Sequence, residues 1–249
     1  MIYQTKQYVN GNYLSKVPDW HEDEAVWKAQ EVFRMLSRNR IHPKTVCDVG
    51  CGTGGILSEL QKKMSDDVSF TGFDISPQAF SICKKKENKK LKFYNKDFVE
   101  FDLEPFDVLL LIDVLEHIPD YLGFLNSILS RARWFIFHIP LDISVHTVAK
   151  QSSIIYMRKQ YGHLHYFLKE TALKTLEDTG FHVEDFFYTI DEYSVEDLQK
   201  LQRSNRELFW LLWLMIRKFL FKLHQDVAAR CFQGFNLLVL GSSQVHNHS

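Results

Sequence analysis

Charge of one sign is what this sequence lacks most plainly: 30 basic residues face 31 acidic ones, for a formal net charge of -1. A nucleic-acid partner normally needs a basic stripe, so none is expected. The one dense run, "KKKENKKLK" at 84–92, falls where a helix end and its turn are expected, and cations there complement the helix dipole and face water. Cysteine is scarce too. Cys47, Cys51, Cys83 and Cys231 show neither zinc-type pairing nor the framework of a secreted mini-domain, and they read as reduced thiols. The opening "MIYQTKQYVNGNYL" has no apolar core of the signal-peptide kind, so a cytoplasmic location is expected. Six scattered prolines and no repeat or low-complexity stretch mark no linker. With 249 residues at 45% hydrophobic content, one substantial core and one domain are expected.

What is present alternates. Residues 22–38 carry Ala25, Val26, Ala29, Val32, Phe33 and Leu36 at helical spacing, which predicts a helix laid on the main body as part of an N-terminal cap over 1–40. Strands are then expected at 45–49, 68–73, 91–94, 106–112 and 133–140, with helices at 55–63, 77–86 and 122–129. Strand-helix alternation predicts parallel pairing through crossovers, with helices on both faces. The run "FDVLLLI" is too aliphatic for a half-exposed strand and predicts a central one. A helix at 169–179 closed by Gly180, a strand at 181–188 and another at 235–240 complete the pattern. The core is thus 45–188 plus 235–241, and the mostly helical 189–234 is an insertion placed as a lid.

The stretch "VCDVGCGTGG" at 46–55 puts four glycines in six residues directly after a strand. Such a loop lets a ligand approach backbone amides. Gly50, Gly52 and Gly55 fit G-x-G-x-x-G, and Asp74 follows Gly55 by 74 − 55 = 19 residues, as in a dinucleotide-binding unit. Asp48, Gly50, Gly52 and Gly54 equally fit D-x-G-x-G-x-G. Acids near the ends of four successive strands, Asp48, Asp74, Asp97 and Asp113, suit a ligand with an amine, a ribose and an adenine better than a pyrophosphate.

On these residues the sequence resembles the class I S-adenosylmethionine-dependent methyltransferases, over roughly 45–241. The motifs are "VCDVGCGTG", Asp74 in "GFDIS", Asp97 in "NKDF", "DVLEHI", and the later "YGHLHYFLKETALKTLEDTGF". The resemblance implies a Rossmann-like α/β fold with a seven-stranded, mostly parallel sheet whose last strand is antiparallel. It also implies S-adenosylmethionine as cofactor and S-adenosylhomocysteine as product. In this reading Gly50, Cys51, Gly52 and Gly54 lie under the methionine part, and Asp48 orients its amino-acid end. Asp74 with Ile75 holds the ribose, Asp97 with Phe98 reads the adenine, and Asp113 with Val114 completes the set. A non-catalytic binding or scaffold protein and an NAD-dependent oxidoreductase stand as alternatives.

A hydroxyl or ammonium acceptor must lose a proton, and histidine is the usual base near neutral pH. His117, His138, His163 and His165 are candidates, and His163 and His165 of "GHLHYF" are the catalytic choice. His-x-His can chelate, but no cysteine or carboxylate at ligand spacing joins the pair, so no metal is expected. The acceptor is expected to be a small molecule, a glycan or a lipid precursor. The apolar block of "ELFWLLWLMIRKFLFKL" is shorter than the roughly 20 residues that span a bilayer, and Arg217, Lys218 and Lys222 interrupt it. It predicts a lid or homodimer helix, with peripheral membrane contact as the alternative. Tyr13 and Trp20 are expected to close the same pocket.

Overall fold

The computed structural model describes Tyr8 and residues 22–101, 104–150, 152–190 and 207–243, with the side chains of 207–211 left aside. Tyr13, Trp20, the stretch 191–206 and the side chains at the start of the apolar block lie outside the described residues. Seven strands form one sheet: β1 (Thr45–Val49), β2 (Ser69–Phe73), β3 (Leu91–Tyr94), β4 (Phe106–Ile112), β5 (Ala132–Pro140), β6 (Phe181–Ile190) and β7 (Phe235–Ser243). Their order is β3-β2-β1-β4-β5-β7-β6. The first five pair in parallel, and β7 runs antiparallel between β5 and β6. This is the expected α/β sheet. Its strand order reverses between β1 and β4, and that switch point is where open α/β sheets hold ligands.

Among residues 22–243 the described helices are α1 (Ala25–Arg38), α2 (Gly55–Lys63), α3 (Pro77–Cys83), α4 (Tyr121–Ile128), α5 (Val145–Ala149), α6 (Ser152–Gln160), α7 (Lys169–Asp178), α8 (Glu207–Leu223) and α9 (Gln225–Cys231). Period-two alternation sorts the strand residues between two cores. Val46, Phe70, Val108, Leu110 and Ile136 face α1 and α2, while Cys47, Leu109, Leu111, Phe135 and Phe137 face α4, α7 and α9. β4 is covered on both sides, with Val108 to Leu111 fully buried, as its aliphatic run predicts.

α1 buries Ala25, Ala29, Val32, Met35 and Leu36, but Val26 points outward at 55% exposure. The expected helix at 77–86 tightens after Cys83 into a 3-10 turn, Lys84–Lys86. Gly180, at φ +94°, ends α7 as expected. α5 and α6 escape the periodicity reading because their apolar side chains do not form a buried stripe: Val145, Val148, Ile155 and Tyr156 are exposed, and α6 buries nothing. Arg217 on α8 is one of the three basic residues that interrupt the apolar block. It turns inward at 2% exposure, over the Phe235 ring and bonded to the Gly234 carbonyl.

Candidate active site

The glycine loop is held from beneath. The amides of Gly50 and Cys51 both donate to the Phe73 carbonyl at the end of β2, at 2.8 and 3.0 Å. The Gly52 amide donates to Asp74 Oδ2 at 2.8 Å, and Ser76 N donates to Asp74 Oδ1 at 2.7 Å. Gly50, Gly52 and Gly54 have φ of +75°, +53° and +75°, which L side chains rarely adopt. A Cβ on Gly50 would also sit 2.8 Å from Val114 Cγ2, and one on Gly54 would run into the Phe93 ring. Two of the loop glycines are therefore demanded by the protein's own packing as well as by the turn.

The four acids have different environments. Asp48 is 1% exposed, and its Oδ2 has no hydrogen-bond partner among the described residues. Burial, with Asp74 and Asp113 adding repulsion, pushes its carboxyl well above the usual range. Burial raises Asp74 as well, against the opposing pull of the Ser76 and Gly52 amides. Asp97 caps the 3-10 turn Phe98–Glu100 by accepting from Val99 N at 3.1 Å, and Phe98 beneath it is buried. Asp113 has φ +54° at the end of β4; its Oδ2 lies 2.7 Å from Lys28 Nζ and its Oδ1 2.5 Å from His138 Nδ1. Burial opposes its charge, but His138 and Lys28 outweigh burial and hold the carboxyl well below the usual range. Both oxygens of Asp113 are thus engaged by the protein. His138 Nε2 bonds Thr189 Oγ1 at 2.8 Å, so this histidine is a satisfied link between strands.

A different set gathers around His163. Its Nδ1 is 2.6 Å from Asp142 Oδ2, and both residues are buried. The amides of Leu164 and His165 both donate to the carbonyl of Glu116, at 2.7 and 3.2 Å, which docks the "GHLH" segment on the loop after β4. Glu116 is 1% exposed; burial, then Asp113 and Asp142, raise its carboxyl well above the usual range. His117 meets Tyr8, whose hydroxyl lies 3.0 Å from its Nδ1 and donates to the Tyr161 carbonyl at 3.2 Å. His165 goes elsewhere. Its Nε2 donates to the Ile118 carbonyl at 3.0 Å and its ring packs on Tyr121.

One cleft of about 800 Å³ collects most of these groups. Gly50, Cys51, Gly52, Asp74, Ile75, Asp97, Phe98, Asp113 and Val114 line it, together with Glu116, His117, Asp142, His163 and Arg217. Asp48, Gly54 and His165 are not among its lining residues. Lys28, Glu116, Asp142 and Arg217 were not chosen from the sequence. The acid of "DVLEHI" was a readable signal for Glu116, whereas Asp142 and Lys28 reach the cleft only through the folding of distant segments.

Comparison with known proteins bears on this geometry. The profile of a methyltransferase domain matches residues 20–185. The mitochondrial ubiquinone biosynthesis O-methyltransferase of Schizosaccharomyces pombe is 34% identical over 110 residues, covering 41% of this chain and 38% of that protein. The chain thus matches well under half the length of that relative. Among solved structures, a methyltransferase of Haloferax volcanii in complex with the Trm112 activator superposes with a TM-score of 0.63 at 17% identity, covering 96% of this chain and 97% of that one. The magnesium protoporphyrin IX methyltransferase of Synechocystis with bound SAH gives 0.56 at 18% identity, over 87% and 82%. At such identities the superpositions speak to the fold.

Proposed function

The chain belongs to the methyltransferase-domain family, and from that footing we propose that it transfers a methyl group from S-adenosylmethionine to a hydroxyl of a small, largely apolar acceptor. The observation that carries this reading is the opening of a glycine loop with its acids and a buried histidine–carboxylate pair into one cleft. Bound S-adenosylmethionine supplies an electrophilic methyl group, which requires an aligned lone pair and dry surroundings. Family membership sets the dinucleotide alternative aside.

The residues present fit that cofactor. The buried, unpartnered oxygen of Asp48 suits a ligand that brings positive charge to the loop. Cys51 and the loop glycines lie under the amino-acid portion. Asp74 and Ile75 take the ribose, and Asp97 with Phe98 takes the adenine. Asp113 acts through Lys28 and His138, with Val114 packing against Gly50. On the acceptor side we place His163, whose Nδ1–H donates to Asp142 and leaves Nε2 as the basic atom.

Methylation on oxygen is supported by the name of the relative described above, the ubiquinone biosynthesis O-methyltransferase. We read 189–234 as a cap on the cleft within a single domain, supported by Arg217 of α8 among the lining residues. The outer face of α8 carries Leu212, Met215, Ile216, Phe219 and Leu223, each at least 49% exposed, beside exposed Lys218 and Lys222. No described helix is long and apolar enough to cross a membrane. We assign this face to peripheral contact with an anionic membrane surface on the cytoplasmic side, from which an apolar acceptor enters. Calorimetry with S-adenosylhomocysteine, followed by mass spectrometry for methylated product from phenolic and catecholic acceptors, tests the reading. No cofactor binding, or binding without turnover of any hydroxyl acceptor, would sink it.

A further inference from the structure

Glu116, His117 and His163 place one ligand atom each within 4.8 Å of the others, and all three line the cleft. Glu116 is 1% exposed, and neither of its oxygens has a hydrogen-bond partner among the described residues. A buried carboxylate left in that state is costly unless a cation completes it.

The histidines are oriented for the same task. Tyr8 has one hydroxyl proton, and the Tyr161 carbonyl receives it, so the contact to His117 Nδ1 is made by the imidazole proton. His163 Nδ1 faces an Asp142 oxygen, so its proton also sits on Nδ1. Both rings therefore carry their lone pair on Nε2. Fixing a ligand histidine through its far nitrogen by a carboxylate or hydroxyl is the usual outer support of metal sites. The paired amides of Leu164 and His165 on the Glu116 carbonyl hold the two contributing segments together. His117 Nε2 already lies 3.8 Å from Glu116 Oε1, and metal–ligand bonds of about 2.1 Å would draw such donors to roughly 3.4 Å apart.

We propose that Glu116 and the Nε2 atoms of His117 and His163 bind a divalent transition-metal ion whose open position faces the cleft and takes the acceptor's hydroxyl. Two imidazoles and one carboxylate suit zinc, manganese or iron better than calcium or magnesium. The ion acts on oxygen alone, without redox change. The O–H bond of the bound hydroxyl breaks heterolytically, its electron pair stays on the metal-bound oxygen, and the proton leaves to water in the cleft. His163 then serves the acceptor through the metal in place of abstracting the proton itself. The proposal rests on the hydroxyl-methylation reading above, and it favours acceptors with a second oxygen beside the hydroxyl, which can chelate.

Cobalt(II) is the probe, because its visible absorption reports ligand set and geometry without cofactor or turnover. Full-length protein stripped with chelator and titrated with cobalt(II) should bind one equivalent with an absorption band of low coordination number, and zinc should displace it. Glu116→Gln, which keeps shape and removes charge, should weaken binding at least about 10-fold, and Asp142→Asn should cost about 10- to 100-fold. His163→Ala should abolish the band. A wild-type protein without cobalt absorption overturns the site, and so does binding that survives Glu116→Gln and His163→Ala unchanged. Calorimetry of S-adenosylhomocysteine on the same stripped protein reads the methyltransferase assignment separately, so the two failures are distinguishable.

Discussion

Lys28 reaches from the first helix to Asp113 at the end of the central strand, with Nζ 2.7 Å from Oδ2. The contact latches α1 to the carboxyl edge of the sheet. Asp113 lies in the left-handed region, and its other oxygen goes to His138.

Replacing Lys28 by Met should cost about 1–3 kcal/mol, because Asp113 is left without its ammonium partner. Urea denaturation measures this. Asp113 is held below its unfolded pKa of about 3.9, so its contribution is whole above that pH and is lost as pH falls further toward the folded value. The gap between wild type and Lys28→Met should therefore be constant near neutrality and narrow in acid. A gap independent of pH throughout would rule out the latch as its source.

Asp48 has the opposite sign. Burial raises its folded pKa, so the protonated fold is favoured below about pH 3.9 and stability declines as pH rises toward the folded value. Asp48→Asn should raise the melting temperature of the cofactor-free protein at pH 8 by a few degrees, with the gain shrinking in acid. The same variant should bind S-adenosylhomocysteine more weakly. A variant that is destabilised at pH 8 and binds normally contradicts both expectations.

Asp74→Ala should weaken S-adenosylhomocysteine binding roughly 10- to 150-fold, since charge-assisted hydrogen bonds contribute about 1.5–3 kcal/mol. The variant also frees the Gly52 and Ser76 amides, so hydrogen exchange should quicken at the loop even without ligand. Unchanged affinity by calorimetry is the outcome that removes Asp74 from the cofactor site.

His163 and His165 should separate cleanly. His163→Ala is expected to lower kcat by about 10²- to 10⁴-fold. His165→Phe, which retains the packing on Tyr121 and loses the bond to the Ile118 carbonyl, should keep kcat within a few-fold and lower the melting temperature. Equal losses of kcat in the two variants would restore His165 to the chemistry.

Binding to vesicles that contain anionic lipid should fall on Phe219→Glu or Met215→Glu, while turnover of a water-soluble acceptor analogue stays unchanged. Both side chains are more than 60% exposed, so the substitutions leave the core intact. Co-sedimentation insensitive to either change argues against the membrane assignment of α8.

The sheet was legible because its signals are local. Aliphatic density named β4 as central, and the glycine loop with Asp74 marked the ends of the first two strands. The side of the cleft proposed for the acceptor was less legible because its partners are brought together by topology. Asp142 and His163 belong to separate segments, and Lys28 comes from a helix before the first strand. His163 and His165, chosen together from the sequence, have different partners for a definite reason: the chain there is pinned by two amides on one carbonyl, and His165 turns to Ile118. α5 and α6 were missed because exposed apolar residues blur the helical stripe, and the capping box that starts α5 uses Thr147 in place of the Glu or Gln that marks such a start in sequence.

Ile190 and Phe235 stand opposite each other where β6 and β7 pair. Residues 191–234 therefore leave and re-enter the sheet at neighbouring points, and the ladder itself keeps the two stems together. Closing a loop whose ends are already joined depends weakly on its length, at about 0.6 kcal/mol for each doubling. The segment proposed as a cap can accordingly be shortened, lengthened or exchanged with little disturbance to the glycine loop or to Asp74, which directly follow β1 and β2 in the other half of the sheet. On the proposed reading, acceptor choice and methyl donor are separable, and a chimera carrying another family member's 191–234 equivalent should keep this protein's cofactor affinity while adopting the donor's acceptor.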